Sequence, residues 1–226
     1  MRPRYVVKAD LRPTVILPVK PWHMSKTRLE VGPVARRLLA RAFTLDVLEV
    51  VGATAHVAAV IVVTAETELS AARMRLDTRF VADRPSVSRD GLNSAIAIGL
   101  RSAAQWRADS PVVVLPADLP ALTGRVLDET VDLMSVHDSA FVPDASGDGT
   151  TMSWGASPEH LNVAYGAGSA GRHSALGARA VVEADLRARL DVDTVGDLAL
   201  ASRLGVGSRT AAALHELTRP AVALTR

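Results

Sequence analysis

The chain has no cysteine. Disulfide staples, thiolate zinc sites and cysteine nucleophiles are excluded together, and a reducing compartment is favoured. Aromatic residues make up 4% of the sequence and the formal charge is only +2, so neither stacking platforms nor a strongly basic surface is on offer to nucleic acid. Long apolar runs are missing too, since nothing approaches the about 20 residues that a membrane span requires. The basic N-terminal stretch MRPRYVVKADLRPTVIL is interrupted by Lys8, Asp10 and Arg12, and it lacks the unbroken apolar core of a secretory signal. A soluble, cytoplasmic protein that binds neither nucleic acid nor membrane is expected. The last scarcity is lysine. Of 26 basic residues only Lys8, Lys20 and Lys26 are lysines. Two of them lie close together after the first apolar run, where a compact ammonium can act as a point charge on phosphate.

What is present is an alternation of buried strand and helix. The stretch Pro111 to Leu122, PVVVLPADLPAL, is the clearest case. Its valines do not alternate with polar residues, which is the pattern of a strand buried on both faces of a parallel sheet. Thr14 to Val19 and Ala58 to Thr64 read the same way. Val34 to Val51 carries a helical apolar stripe. Glu66 to Leu76 reads as helical, Arg79 to Ala82 as a short third strand, and Asp90 or Gly91 as the start of a helix that runs through Trp106. Gly124 to Ser135 is expected as helix and Ser139 to Pro143 as strand, with polar or glycine-rich loops at Asp144 to Gly149 and Asn162 to Gly177. This βαβα order specifies an α/β, three-layer fold with a mainly parallel central sheet. A chain of 226 residues with 48% hydrophobic content suits one large domain, expected at 14–217, with an N-terminal extension at 1–13 and a C-terminal tail at 218–226.

Three constellations carry candidate chemistry. Asp118 stands where the central strand leaves the sheet, the edge at which open α/β folds bind ligands. Taken alone it is equally a turn or cap residue. In LDVDTVGDL, an extended Leu190 to Asp193 would point Asp191 and Asp193 to one face, and Thr194 with Asp197 matches a capping box. Three carboxylates converging on one edge repel strongly without a cation between them, and an oxygen-only donor set suits magnesium. The second constellation is the loop with Lys20, Ser25, Lys26, Thr27 and Arg28, a cluster of cations and hydroxyls suited to nucleotide phosphates although it is no Walker loop. The third joins Gly149, Thr150 and Thr151 to AYGAGSAGRHSALGARA, where glycines admit close backbone approach and Ser169 leads into a helix. Arg172 and His173 add donors, with a packed structural role the commoner one for such a histidine.

The signatures VILPVK…SKTRL, DGLNSAI, VVVLPADLPAL, GDGTT, YGAGSAGRH and LDVDTVGDL occur in that order between Thr14 and about Leu214. Together they resemble the CofC/FbiD family of guanylyltransferases. The resemblance implies a Rossmann-like nucleotidyltransferase fold and an enzyme of coenzyme F(420) biosynthesis. Such an enzyme joins GMP from GTP to phosphoenolpyruvate, giving enolpyruvoyl-2-diphospho-5'-guanosine, or to 2-phospho-L-lactate, with release of pyrophosphate. It makes Asp118, Asp191 and Asp193 ligands of Mg2+ and places phosphoenolpyruvate at Thr150, Gly166 and Ser169. It assigns GTP to Lys20, Lys26, Arg28 and Asn93, with Asp118, Lys26 and Arg28 as the catalytic set; helix capping is the other reading of Asn93. The implied partners are GTP and a small phosphorylated carboxylic acid, and homo-oligomerisation stays open. Ala117 departs from the glycine usual before the family's central aspartate. Other acceptors, such as 3-phosphoglycerate or molybdopterin, and a non-catalytic nucleotide-binding module of a coenzyme-assembly complex are the alternatives to be distinguished.

Overall fold

The structure, a computed structural model, describes residues 12–71, 75–83 and 91–218. The wholly apolar runs form β1 (Thr14–Val19) and β2 (Ala59–Thr64), with every position buried. Alternate residues serve opposite faces. Val15, Leu17, Val60 and Val62 look to one side and Ile16, Ile61 and Val63 to the other. The sheet is completed by β3 (Asp77–Ala82), β4 (Val112–Val114), β5 (Ser139–Pro143), β6 (Thr150–Gly155) and β7 (Arg179–Ala180), in the order β3-β2-β1-β4-β6-β5-β7. All pairs are parallel except those of β6, which runs antiparallel to β4 and β5.

On the first face lie α1 (Pro33–Ala53), α3 (Gly124–Ser135) and the short α5 (Leu186–Arg189), contributing Val47, Val51, Val126, Leu127, Val131 and Ala188. On the second lies α2 (Gly91–Trp106), with Ala95, Ile96 and Ala103 packed against β1, β2 and β4. The helix α4 (Ser169–Ala175) precedes β7. A third apolar cluster seats α6 (Val195–Leu204) and α7 (Ser208–Thr218) on the outer side of α1, around Leu39, Phe43, Val192, Leu198 and Ala213. The result is the expected three-layer α/β fold with a C-terminal helical pair added.

One expectation is corrected and one strand is added. Of the helix read at Glu66 to Leu76, Thr67–Ala71 is a 3-10 turn and residues 72–74 lie outside the described residues, while the third strand starts at Asp77, two residues ahead of the expected Arg79, pairing opposite Ala59. Thr150 to Gly155, which had no assignment, is β6. The N-terminal extension up to Leu11, Asp90 and the tail beyond Thr218 fall outside the described residues. Among the described residues no helix is long and apolar enough to cross a membrane.

Candidate active site

A cleft of about 520 Å3 opens where β1 and β4 end, bounded by Pro18 and Val19 on one side and Pro116 to Asp118 on the other. Its first wall is the cationic loop, and Trp22 holds that loop down. The Trp22 indole is buried and donates to Thr44 Oγ1 at 3.2 Å, its backbone N–H donates to the Glu66 carboxylate at 2.7 Å, and the Arg41 guanidinium lies 5.7 Å from the ring centre. From this anchor the chain reaches Lys26, the one non-glycine residue with positive φ (57°) among the described residues. That turn directs the ammonium inward. Lys26 Nζ donates to Asp118 Oδ2 at 2.9 Å and to Asp193 Oδ1 at 3.2 Å, while the exposed Arg28 guanidinium pairs with Asp193 Oδ2 at 2.9 Å.

The floor is acidic. Asp118, Asp191 and Asp193 each offer an oxygen, all within 4.8 Å of one another. The backbone arranges this convergence directly: Val192 N–H donates to the Asp118 carbonyl at 3.0 Å, and the Val192 side chain is fully buried against the third apolar cluster. With Val192 turned in, Asp191 and Asp193 must turn out, toward Asp118. Behind them the expected capping box is present, with Asp197 N–H donating to Thr194 Oγ1 at 3.2 Å and Thr194 N–H to Asp197 Oδ2 at 2.7 Å. Burial, then the charges of Asp118 and Asp193, push the Asp191 carboxyl up to about 7. Burial lowers the Lys26 pKa, but Asp118 and Asp193 outweigh it and leave the ammonium more basic than usual. The site therefore calls for positive charge. Its all-oxygen donors fit a hard divalent cation, and Lys26 stands in for part of that charge.

The opposite wall is the third constellation. Thr150 begins β6, and its hydroxyl lies 3.1 Å from Ser169 Oγ and 2.9 Å from His173 Nδ1. Gly166 and Gly168 take positive φ values of 115° and 69°, which a side chain would resist. This loop is braced from outside by Arg172, which donates to the carbonyls of Ala164 and Tyr165, and by Asp148, whose carboxylate accepts Gly168 N–H at 2.9 Å.

Lys20, Lys26, Arg28, Asp118, Thr150, Gly166, Ser169, Asp191 and Asp193 thus all line one cleft, as does Ala117. Asn93 is placed differently. Its amide spans the Tyr165 backbone, donating to the carbonyl at 3.1 Å and accepting the N–H at 2.9 Å, and Leu92 rather than Asn93 lines the cleft. These two bonds fix Tyr165 at the cleft wall. Sequence reasoning had missed Tyr165 itself, a cleft residue whose hydroxyl sits 2.9 Å from Ser153 Oγ and whose burial raises its pKa. Only the tyrosine within YGAGS hinted at it. No local signal links Trp22 to Glu66, which lies 44 positions away.

A mainly parallel sheet with an acidic triad and a cationic loop at its carboxyl edge defines an α/β protein of nucleotidyltransferase architecture. Solved structures agree on the fold. A protein of Desulfovibrio desulfuricans assigned as a nucleotide-diphospho-sugar transferase matches with TM-score 0.65 at 18% identity, over 92% of this chain and 95% of that one. A 4-diphosphocytidyl-2C-methyl-D-erythritol synthase matches with TM-score 0.54 at 15% identity, over 85% and 99%. Sequence narrows the class further: the profile of the family described as guanylyl transferase CofC like matches residues 13–218, and the chain belongs to that family. Similar curated relatives are the phosphoenolpyruvate guanylyltransferases of Streptomyces scabiei, 39% identical over 92% of this chain and 98% of the relative, and of Streptomyces coelicolor, 40% identical over 90% and 96%.

Proposed function

We propose that the protein is a phosphoenolpyruvate guanylyltransferase of coenzyme F(420) biosynthesis, transferring GMP from GTP to phosphoenolpyruvate with release of pyrophosphate. Identity of 39% to a relative of that name, over almost the full length of both chains, carries this reading. The cleft supports it by setting a cationic wall, an acidic floor and a wall of glycine, threonine and serine within one volume. A cytoplasmic location follows from the substrate pair.

The acceptor phosphate is already an anionic nucleophile. One of its oxygens attacks the α-phosphorus of GTP, the bond from that phosphorus to the bridging oxygen breaks, and pyrophosphate leaves with the bonding electrons. No general base is required. The barrier is the approach of two anions, so positioning and charge neutralisation carry the catalysis. Mg2+ held by Asp118, Asp191 and Asp193 would neutralise phosphate charge at the point of attack. Thr150 and the Gly166 backbone hold the acceptor, and Ser169 Oγ fixes the Thr150 hydroxyl from the side. Lys20 and Arg28 at the mouth, with Lys26 deeper, offset the charge of the triphosphate and of the leaving pyrophosphate. Asn93, whose amide fixes the Tyr165 backbone at the cleft wall, is the candidate for the nucleoside of GTP.

Pyrophosphate release with GTP, ATP or CTP, each offered phosphoenolpyruvate, 2-phospho-L-lactate or 3-phosphoglycerate, tests the reading. GTP with phosphoenolpyruvate is expected to give the highest kcat/KM. Asp118→Asn is expected to lower kcat by about 100-fold or more with the melting temperature retained. Near-normal turnover in a folded Asp118→Asn protein would remove the metal site, and no release with any pair would leave a nucleotide-binding module.

A further inference from the structure

We infer that His173, which lies behind the cleft wall and lines none of it, is a positioning residue that fixes the Thr150 hydroxyl as a one-way hydrogen-bond donor to the acceptor anion. The inference rests on the proposed function, which makes Thr150 part of the acceptor site.

The ring is fully buried, between Phe141 at 5.4 Å and the edge of Tyr165 at 5.3 Å. Both of its nitrogens are engaged. Nε2 faces the Ala164 N–H at 3.0 Å, and a backbone amide can only donate, so Nε2 must be the unprotonated nitrogen. The proton of the neutral ring therefore sits on Nδ1, which lies 2.9 Å from Thr150 Oγ1 and donates to it. Ser169 Oγ donates to the same oxygen at 3.1 Å. A hydroxyl has two lone pairs and one proton. With both lone pairs occupied from behind, the single Thr150 proton is left to point into the cleft. A ligand oxygen with a free lone pair, as on phosphate or carboxylate, satisfies it, whereas a ligand N–H or ammonium finds no acceptor at Thr150 Oγ1.

Without His173 the Thr150 hydroxyl can rotate and spend its proton on Ser169, so acceptor binding suffers while nucleotide binding does not. Three replacements separate this role from packing. His173→Asn keeps a donor near the Nδ1 position, His173→Gln keeps an acceptor near Nε2, and His173→Phe keeps only the volume. Steady-state kinetics should show KM for phosphoenolpyruvate raised about 10-fold in the Gln and Phe variants, the loss of roughly one hydrogen bond. The Asn variant should recover most of it, and KM for GTP should not change in any of them. Equal behaviour of the Asn and Gln variants, or parallel loss of GTP affinity, would falsify the inference. Long-range 1H–15N correlation on the unaltered protein gives a reading that needs no variant: Nδ1–H is expected, and an Nε2–H tautomer would overturn it. Wild-type protein that fails to turn over phosphoenolpyruvate removes the proposed function and this inference together. Normal wild-type turnover with indifferent His173 variants removes the inference alone.

Discussion

Single residues decide where charge gathers in this protein, and they differ in how plainly the sequence announces them. Val192 is legible. An apolar residue between two aspartates needs only an extended backbone to throw both carboxylates outward, and the capping box after it marks where the extension ends. Lys26 is legible as a cation but not in its partners, since its ammonium meets carboxylates 92 and 167 positions away and its positive φ leaves no local trace. His173 had two plausible readings, and burial chose between them. Burial first, then the neighbouring Arg172 charge, lowers its pKa from 6.5 to about 4. The unfolded chain therefore takes up a proton between those values that the folded ring refuses. Stability is unaffected by this group above about pH 6.5, falls as pH drops through the window, and carries the full loss below about pH 4. Urea unfolding of wild type and His173→Asn at about pH 7.5 and about pH 4.5 should show wild type losing roughly 2 to 3 kcal/mol more than the variant. Equal losses would mean that the ring is protonated in the fold.

Among the elements, β1, β2 and β4 were legible because strands buried on both faces need no polar alternation, and their apolar runs carry that mark. β6 was not. Its sequence TTMSWG is short and half polar, and it owes its place to pairing with β4 and β5, the relation that makes it the antiparallel member of the sheet. Its β-branched and aromatic residues between two glycines were the available signal. β3 was legible from Arg79 onward, and its ladder with β2 extends it back to Asp77. The helix α2 shows the converse, a packing constraint on an element that was read correctly. Gly99 lies mid-helix, where glycine costs about 1 kcal/mol against alanine. A Cβ there would run into Ile16 Cγ2 of β1 and come within 3.3 Å of Val63 Cγ2 of β2. Both neighbours are β-branched core residues with little freedom to yield. Overpacking should therefore outweigh the gain in helix propensity. Gly99→Ala is expected to destabilise by about 1 to 3 kcal/mol, read as a lower urea midpoint at unchanged slope. A variant as stable as wild type would mean that α2 can lift off the sheet without loss.

The whole molecule joins its acidic floor from two separately supported parts, and the junction runs through Asp46. Asp118 comes from the loop after β4, carried by the sheet, whereas Asp191 and Asp193 flank Val192, which packs with α6 and α7 on α1. The buried Asp46 carboxylate, on α1, accepts the backbone N–H of Arg209 at 2.9 Å and of Thr210 at 2.8 Å, serving as the N-terminal cap of α7 from another helix. Immediately before, Gly207 N–H donates to the Pro120 carbonyl at 2.9 Å, two residues beyond Asp118, and a side chain at Gly207 would strike the Asp46 carboxylate. The same short stretch thus ties α7 to α1 and to the Asp118 loop. Nothing in the sequence around Asp46 distinguishes it from a solvated helix acid, because its partners lie 163 and 164 positions away. Asp46→Ala leaves the buried Thr210 N–H and the part-buried Arg209 N–H without their acceptor and should cost about 1 to 3 kcal/mol. Asp46→Asn, which keeps an acceptor oxygen, should cost less. The loss should not spread evenly. Amide exchange should quicken first in α7, and manganese(II) affinity, measured by calorimetry on the folded protein, should fall several-fold as the Asp191 and Asp193 segment loosens. The Thr150 and Ser169 wall stands on β6 and α4, outside that apolar cluster, so phosphoenolpyruvate affinity should hold. Faster exchange in α7 with unchanged manganese affinity would mean that the tie to the Asp118 loop alone positions the triad.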